Sequence, residues 1–213
     1  MKLYGFFRSS AAIRVRIALN LKGLSYEQAF IHLRRNDQSK EDYLAVNPQG
    51  LVPVLEDGGE VLIQSLAIIE YLEETHPEPP LLPARPADRA RVRALAEIVA
   101  CDIHPINNLR VLRYLIRPLG HDEGEVAAWY NHWIAAGFAA LERLVAGDPR
   151  TGRFCHGERP GLADIALIPQ VVNAERYRLD LAPYPTIARI HANCMALAPF
   201  AAAHPSQQPD FEA

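Results

Sequence analysis

Cysteine is scarce in this chain of 213 residues, and the three present lie far apart. Cys101, Cys155 and Cys194 are odd in number and form no CxxC pair. That spacing argues against a disulfide framework, a zinc site and a dithiol redox centre, and it fits a reducing, cytoplasmic compartment. No apolar run is long enough to span a bilayer. The N-terminus lacks the long apolar core and the cleavage site of a signal peptide, so none is read there. An excess of one charge is missing too. The 22 basic and 25 acidic residues leave a net charge of −3, which recruits neither nucleic acid nor an anionic membrane. An anionic ligand must therefore be held by local arginines. Internal repeats and low-complexity segments are absent. What remains is an ordinary folded composition, 49% apolar, long enough for one large or two small domains.

The stretch that organises the chain runs from Phe7 to Leu19. Lys2-Leu3-Tyr4-Gly5-Phe6-Phe7 reads as a short strand. After Ser10 the period changes: Ile13, Ile17 and Leu21 recur four apart, as on a helix face, and Gly23 is a stop. Ser9 and Ser10 thus sit at a strand-to-helix junction. One of them is expected to cap the helix. The positive end of the helix dipole, the free amides and Arg8 would then face an anion.

Ser25 to Ile31 alternates as a second strand, and residues 34–42 form a polar loop or short helix. Asn47-Pro48-Gln49-Gly50 is a turn. Leu51–Leu55 and Val61–Ile63 flank the hairpin signal Glu56-Asp57-Gly58-Gly59. Ser65 to Thr75 runs at helical spacing. This order, β-α-β-(α)-β-β-α, describes a small α/β domain over 1–78. Five prolines between Pro77 and Pro86 mark a linker at 79–86. The remainder, 87–213, reads as all helical: one long helix from Asp88 to Leu115 kinked at Pro105, then 124–144, 162–178 and 184–197, with an irregular tail from His204. Trp129, Trp133 and Phe138 are expected in the core.

Two further devices stand out in the first domain. Pro53 inside an apolar run must lie on a sheet edge or follow a cis peptide bond. In the cis form the Val52 backbone could pair with a peptide ligand. Ser65 opens the next helix and can cap it, and Gln64 adds an amide. Strand ends and helix starts gather on one side of an α/β sheet, so Ser9, Ser10, Val52, Gln64 and Ser65 are candidates for one cleft.

These motifs together resemble the zeta class of glutathione transferases, and within it the glutathione-dependent isomerases of maleylpyruvate and maleylacetoacetate. The likeness covers essentially the whole chain. It rests on Arg8-Ser9-Ser10, Arg14 to Leu19, Asn47-Pro48, Val52-Pro53, Gln64 to Leu72, Asp102 to Asn108, Ala163-Asp164, Pro169-Gln170-Val171 and Gln207-Gln208-Pro209-Asp210. The resemblance implies a thioredoxin-like N-terminal domain, an all-helical C-terminal domain, a homodimer and glutathione in the cleft, with no metal. It implies that Val52 pairs with the cysteinyl backbone and that Gln64 and Ser65 hold the γ-glutamyl carboxylate. Gln38, His104 and Asn108 are second-rank contacts. Two departures stand out. The family's serine-serine-cysteine signature reads Ser9-Ser10-Ala11 here. Gly161 also replaces the serine or threonine expected three residues before Asp164, itself read as a capping residue.

Energetics then favour Ser9. A thiol of pKa about 8.5 is mostly protonated at neutral pH, and lowering it by about 2 units requires about 2.7 kcal/mol. One hydrogen bond to the charged sulfur contributes about 1.5–3 kcal/mol, and a helix N-terminus about 0.3–2 kcal/mol. Ser9 plus the dipole is sufficient, with Ser10 as fallback. The implied substrate is a cis keto-dioate whose carboxylates call for forked cations. Arg8, Arg110 and Arg176 are the candidates. The ordinary alternatives are a solvated helix face for Arg110 and a salt bridge with Glu175 or Asp180 for Arg176. Arg14 and Arg16 are assigned to structure or a dimer seam, and His104 has a packing role as its alternative. Two other functions remain open: a general glutathione transferase or peroxidase, and a non-catalytic binding module on the same scaffold.

Overall fold

The computed structural model describes residues 1–212 and divides into two units. The first is Met1–Leu81 together with the segment that begins at Ala196; the second is Leu82–Met195. The closing segment thus groups with the sheet, whereas the sequence places it with the preceding helices.

In the first unit, strands β1 (Lys2–Gly5), β2 (Glu27–Phe30), β3 (Val54–Asp57) and β4 (Glu60–Ile63) form one sheet in the order β2-β1-β3-β4. β1 and β2 are parallel, while the β1/β3 and β3/β4 pairs are antiparallel. Asp57 lies opposite Glu60, which leaves Gly58-Gly59 as a two-residue turn. Both glycines have positive φ, +58° and +93°, the conformation that tight hairpins demand.

Helix α1 (Ser10–Leu21) is buried at every residue from Ser10 to Leu19, not on one stripe. Its two arginines must therefore find partners inside. Arg16 donates to the carbonyls of Phe6 (3.4 Å) and Phe7 (2.7 Å), and burial pulls its guanidinium down to about 10. At the helix end, Lys22 donates to Glu73 (2.8 Å) and to the carbonyls of His76 (2.6 Å) and Pro79 (3.1 Å). Helix α2 (Glu41–Val46) lies in the polar loop, and α3 (Ser65–Thr75) packs on α1.

The second unit opens with α4 (Pro86–Glu97). The single kinked helix expected from Asp88 to Leu115 is divided. Residues Ile98–Ile103 form a π-helical turn, Pro105–Asn107 a 3-10 turn, and Leu109–Ile116 a new helix, α5. Pro105 has no N–H to continue the ladder, and Asn108 restarts it by capping α5. α6 (Glu123–Ala146) begins at a reciprocal cap between Asp122 and Glu125. Its buried spine is Val126, Tyr130, Ile134, Phe138, Leu141 and Val145. Trp129 and Trp133, expected in the core with Phe138, are only half-buried and meet edge to face at 5.7 Å. α7 (Leu162–Arg176) is buried along most of its length. α8 (Pro185–Met195) completes the second unit, and α9 (Ala198–Ala203) packs on α1 in the first. No helix among the described residues is long and apolar enough to cross a membrane.

Candidate active site

The strand register places the first unit's candidates along one end of the sheet. Tyr4 pairs with Val54, Val54 with Ile63, and Gly5 with Phe30. Arg8-Ser9 follows β1, Val52-Pro53 precedes β3, Gln64 follows β4, and the loop carrying Gln38 follows β2, all at that same end.

The two serines are not equivalent there. Ser9 is the N-cap of α1: its extended backbone (φ −71°, ψ 115°) lets Oγ accept the Ala12 N–H at 3.3 Å. The side chain stays half-buried, and its own O–H remains available to donate,. Ser10 is the first helical residue, 4% exposed and turned into the unit. Arg8 is half-buried, with its guanidinium 5.5 Å from the Phe7 ring.

Val52 is half-buried, and the Val52-Pro53 peptide bond is cis, one residue ahead of β3. The preceding turn is firmly held. Leu51 O accepts from Tyr43 Oη (2.6 Å) and Asn47 Nδ2 (2.8 Å), and Asn47 Oδ1 accepts the Gln49 N–H (3.1 Å). Gly50 has φ +61°, and a Cβ there would come within 3.0 Å of the Gln38 carbonyl oxygen. Only glycine lets the turn and the Gln38 loop approach this closely.

The start of α3 corrects the sequence reading. Ser65 does not cap the helix. Gln64 occupies the cap position, without a side-chain bond to the helix, and Ser65 is the first helical residue, 6% exposed. Ser65 Oγ instead accepts from Arg14 Nη1 at 3.3 Å, joining α3 to α1. Gln64 is exposed with φ +70°, and its amide donates to Gln49 Oε1 at 2.9 Å. A non-glycine residue in that backbone region costs about 1–3 kcal/mol, a strain found at ligand-binding positions.

In the second unit, Asn108 Oδ1 accepts the Arg110 N–H (3.1 Å) and so serves as the cap of α5, leaving the Arg110 side chain exposed. His104 is half-buried where the π-helical turn ends. Arg176, the last residue of α7, does not form the salt bridge that was the alternative to substrate binding. Glu175 meets His191 (3.7 Å), and Asp180 accepts the Ala182 N–H. Arg176 instead lies 4.8 Å from the Tyr177 ring and 5.9 Å from Tyr130, and those two rings stack at 3.7 Å. Sequence reasoning missed this aromatic pair, since Tyr130 and Tyr177 lie on different elements and share no periodicity. Asp164 accepts the N–H groups of Cys155 and Gly161, each at 2.9 Å, and is wholly buried. It closes the helix start unaided, because Gly161 has no side chain to return the bond.

A model described as the glutathione S-transferase N-terminal domain matches residues 3–80, and one for the C-terminal domain matches 125–203. A maleylpyruvate isomerase from Ralstonia is 54% identical over 99% of both chains. The maleylacetoacetate isomerase of Pseudomonas aeruginosa is 50% identical over 99% of this chain and 98% of its own.

The chain belongs to the glutathione transferase family.

Within the family the likeness is to the zeta class. A holo maleylpyruvate isomerase described as a bacterial zeta-class transferase superposes with a TM-score of 0.98 at 53% identity, covering all of both chains. A maleylacetoacetate isomerase from Methylobacterium extorquens, solved with malonate and glutathione bound, has a TM-score of 0.97 at 46% identity. The residues of this transferase fit a γ-glutamyl tripeptide. Gln38 Oε1 is buried without a hydrogen-bond partner among the described residues, an acceptor left for a ligand N–H,. Gln64 and Ser9 present polar groups at the same end of the sheet. Among the described residues no cluster of histidine, cysteine or carboxylate side chains could hold a metal ion.

Proposed function

We propose that this protein is a glutathione-dependent cis–trans isomerase that converts maleylpyruvate to fumarylpyruvate, or the analogue maleylacetoacetate to fumarylacetoacetate, in the breakdown of aromatic compounds. Four relatives between 49% and 54% identical carry those two names. The observation that carries the mechanism is the half-buried Ser9 hydroxyl at the positive end of α1, with a proton to donate.

When bound, glutathione supplies a reversible sulfur nucleophile for the cis double bond of a keto-dioate. Ser9 would stabilise the sulfur anion by an O–H hydrogen bond with the proton kept on its oxygen, and the α1 dipole would add to that stabilisation. The Val52 backbone aligns the cysteinyl segment, while Gln64 and Ser65 hold the γ-glutamyl end. Gln38, His104 and Asn108 add further contacts. Arg8, Arg110 and Arg176 bind the substrate carboxylates and stabilise charge building on the keto oxygen. The tyrosine pair beside Arg176 supports this role, since stacking holds a guanidinium while leaving its N–H fork open. Residues 1–78 supply most of the glutathione determinants of this scheme together with Arg8, 79–86 the connection, and 87–213 His104, Asn108, Arg110 and Arg176. The working form is a cytoplasmic homodimer.

The test is the decay of the maleylpyruvate cis-enone absorbance, with and without glutathione. Rapid decay only in its presence, with fumarylpyruvate as the product, is expected. Retention on immobilised glutathione without isomerisation would instead support a general transferase or a binding module.

A further inference from the structure

The motif Gln207-Gln208-Pro209-Asp210 has no part in the scheme above, yet the structure brings it to the candidate site. α9 anchors the closing segment on α1, where Asn20 Nδ2 donates to Pro199 O at 3.0 Å. Gln208 Nε2 then donates to the carbonyls of Ala202 (2.8 Å) and His204 (3.0 Å), which fixes the direction of the tail. From there three consecutive residues reach back to the beginning of the chain. Asp210 Oδ2 accepts the N–H of Phe7 at 2.9 Å, two residues ahead of Ser9. Phe211 meets the Phe7 ring edge to face at 5.5 Å. Glu212 Oε1 accepts from His32 Nε2 (3.0 Å) and Arg35 Nη2 (3.1 Å), and Arg34 lies 3.9 Å from its other oxygen.

The partners of these groups show what the tail holds. Phe7 is gripped on both sides of its peptide, with Arg16 on its carbonyl and Asp210 on its N–H. The turn that aims Arg8 and Ser9 therefore has no freedom left at Phe7. His32 opens the loop that carries Gln38. Its Nδ1 accepts the Arg35 N–H (3.2 Å), its own N–H donates to Asp37 (3.1 Å), and its ring packs against Phe6 at 5.3 Å. With Nδ1 accepting, Nε2 bears the proton donated to Glu212. Asp210 Oδ1 is buried with no hydrogen-bond partner among the described residues, and the carboxylate's charge acts on the buried Arg16 guanidinium. An isolated stability role would not favour such a group.

We infer that Asp210 and Glu212 are positioning residues for glutathione: Asp210 sets the turn bearing Arg8 and Ser9, and Glu212 holds the loop bearing Gln38. This rests on the proposed glutathione site and extends it to residues that touch neither thiol nor substrate.

The full-length chain and its Asp210→Ala, Asp210→Asn and Glu212→Gln variants provide the test. Glutathione affinity is measured by calorimetry without substrate, KM for glutathione by the isomerase assay, and the bound thiol by its thiolate absorbance against pH. Asp210→Ala is expected to weaken glutathione binding about tenfold, to change kcat far less, and to move the thiolate titration to higher pH. Asp210→Asn keeps an oxygen for the Phe7 N–H and is expected to recover most of this loss. Glu212→Gln is expected to weaken binding about threefold with the titration unmoved. Unchanged affinity and titration in a folded Asp210→Ala protein would overturn the inference. Should that variant not fold, unchanged glutathione affinity in Glu212→Gln does so. If the wild type binds glutathione but isomerises nothing, the proposed reaction fails, and calorimetry alone decides the role of the tail.

Discussion

At the scale of the residue, Ser9 carries two duties that substitution separates. It caps α1 through its oxygen and, in the proposed reaction, stabilises the thiolate through its proton. Ser9→Ala removes both and is expected to lower stability by about 1 kcal/mol and isomerase activity about 10–100-fold. Ser9→Gly costs the cap only a few tenths of a kcal/mol, so it is expected to melt near the wild-type temperature while losing as much activity as the alanine variant. Thermal melts beside the enone assay check both. A glycine variant with full activity would return Ser9 to a purely structural role. The pair Ser9-Ser10 was legible because the apolar period switches there. Which hydroxyl turns inward was not, since that depends on φ and ψ at the cap. Gln64 shows the same limit: nothing in the residue type announces φ +70°. The sequence assigns Arg14 and Arg16 to structure or a dimer seam, but their burial inside the unit was not legible, because arginine is normally exposed. Their internal acceptors come from Ser65 and from the Phe6 and Phe7 carbonyls.

At the scale of the element, the loop between α6 and α7 is tied down by charge. Arg91 Nε (2.9 Å) and Arg150 Nη2 (2.6 Å) both reach Asp148, and Arg150 also reaches Asp88 (3.2 Å). The hydrogen bonds from Arg150 hold the Asp148 carboxyl well below the usual carboxylate range. A depressed carboxyl adds stability above its unfolded-state pKa and loses it as pH falls through the folded value. The stability gap between wild type and Asp148→Asn is therefore expected to be full near neutral pH and to close below about pH 4. Denaturant melts across that range check it; a gap constant down to the acid limit would contradict the assignment. Element types were readable from periodicity in both units. The divided helix at 98–108 was not, because a single π-helical turn is too short a break to show in an apolar pattern summed over a whole helix,.

At the scale of the whole molecule, the cysteines return. Cys155 and Cys194 are buried, and burial pushes both thiols up; Cys101 is exposed. A disulfide reagent is expected to titrate one thiol quickly in the native protein and three after denaturation. More than one fast thiol would mean that a buried site opens readily. The division near the proline-rich stretch was legible in composition, but the return of the closing segment to the sheet was not. Phe7 and Asp210 are separated by 203 positions, and no local pattern links them. Their contact also bears on how the first unit assembles. All of Leu82–Met195 lies between the two groups in the chain, so the bond that secures the junction of β1 and α1 is a non-local pairing whose loop-closure entropy is lost before the contact offsets it. The junction is thus expected to gain its last bond late in folding, after the local turns of the sheet have formed.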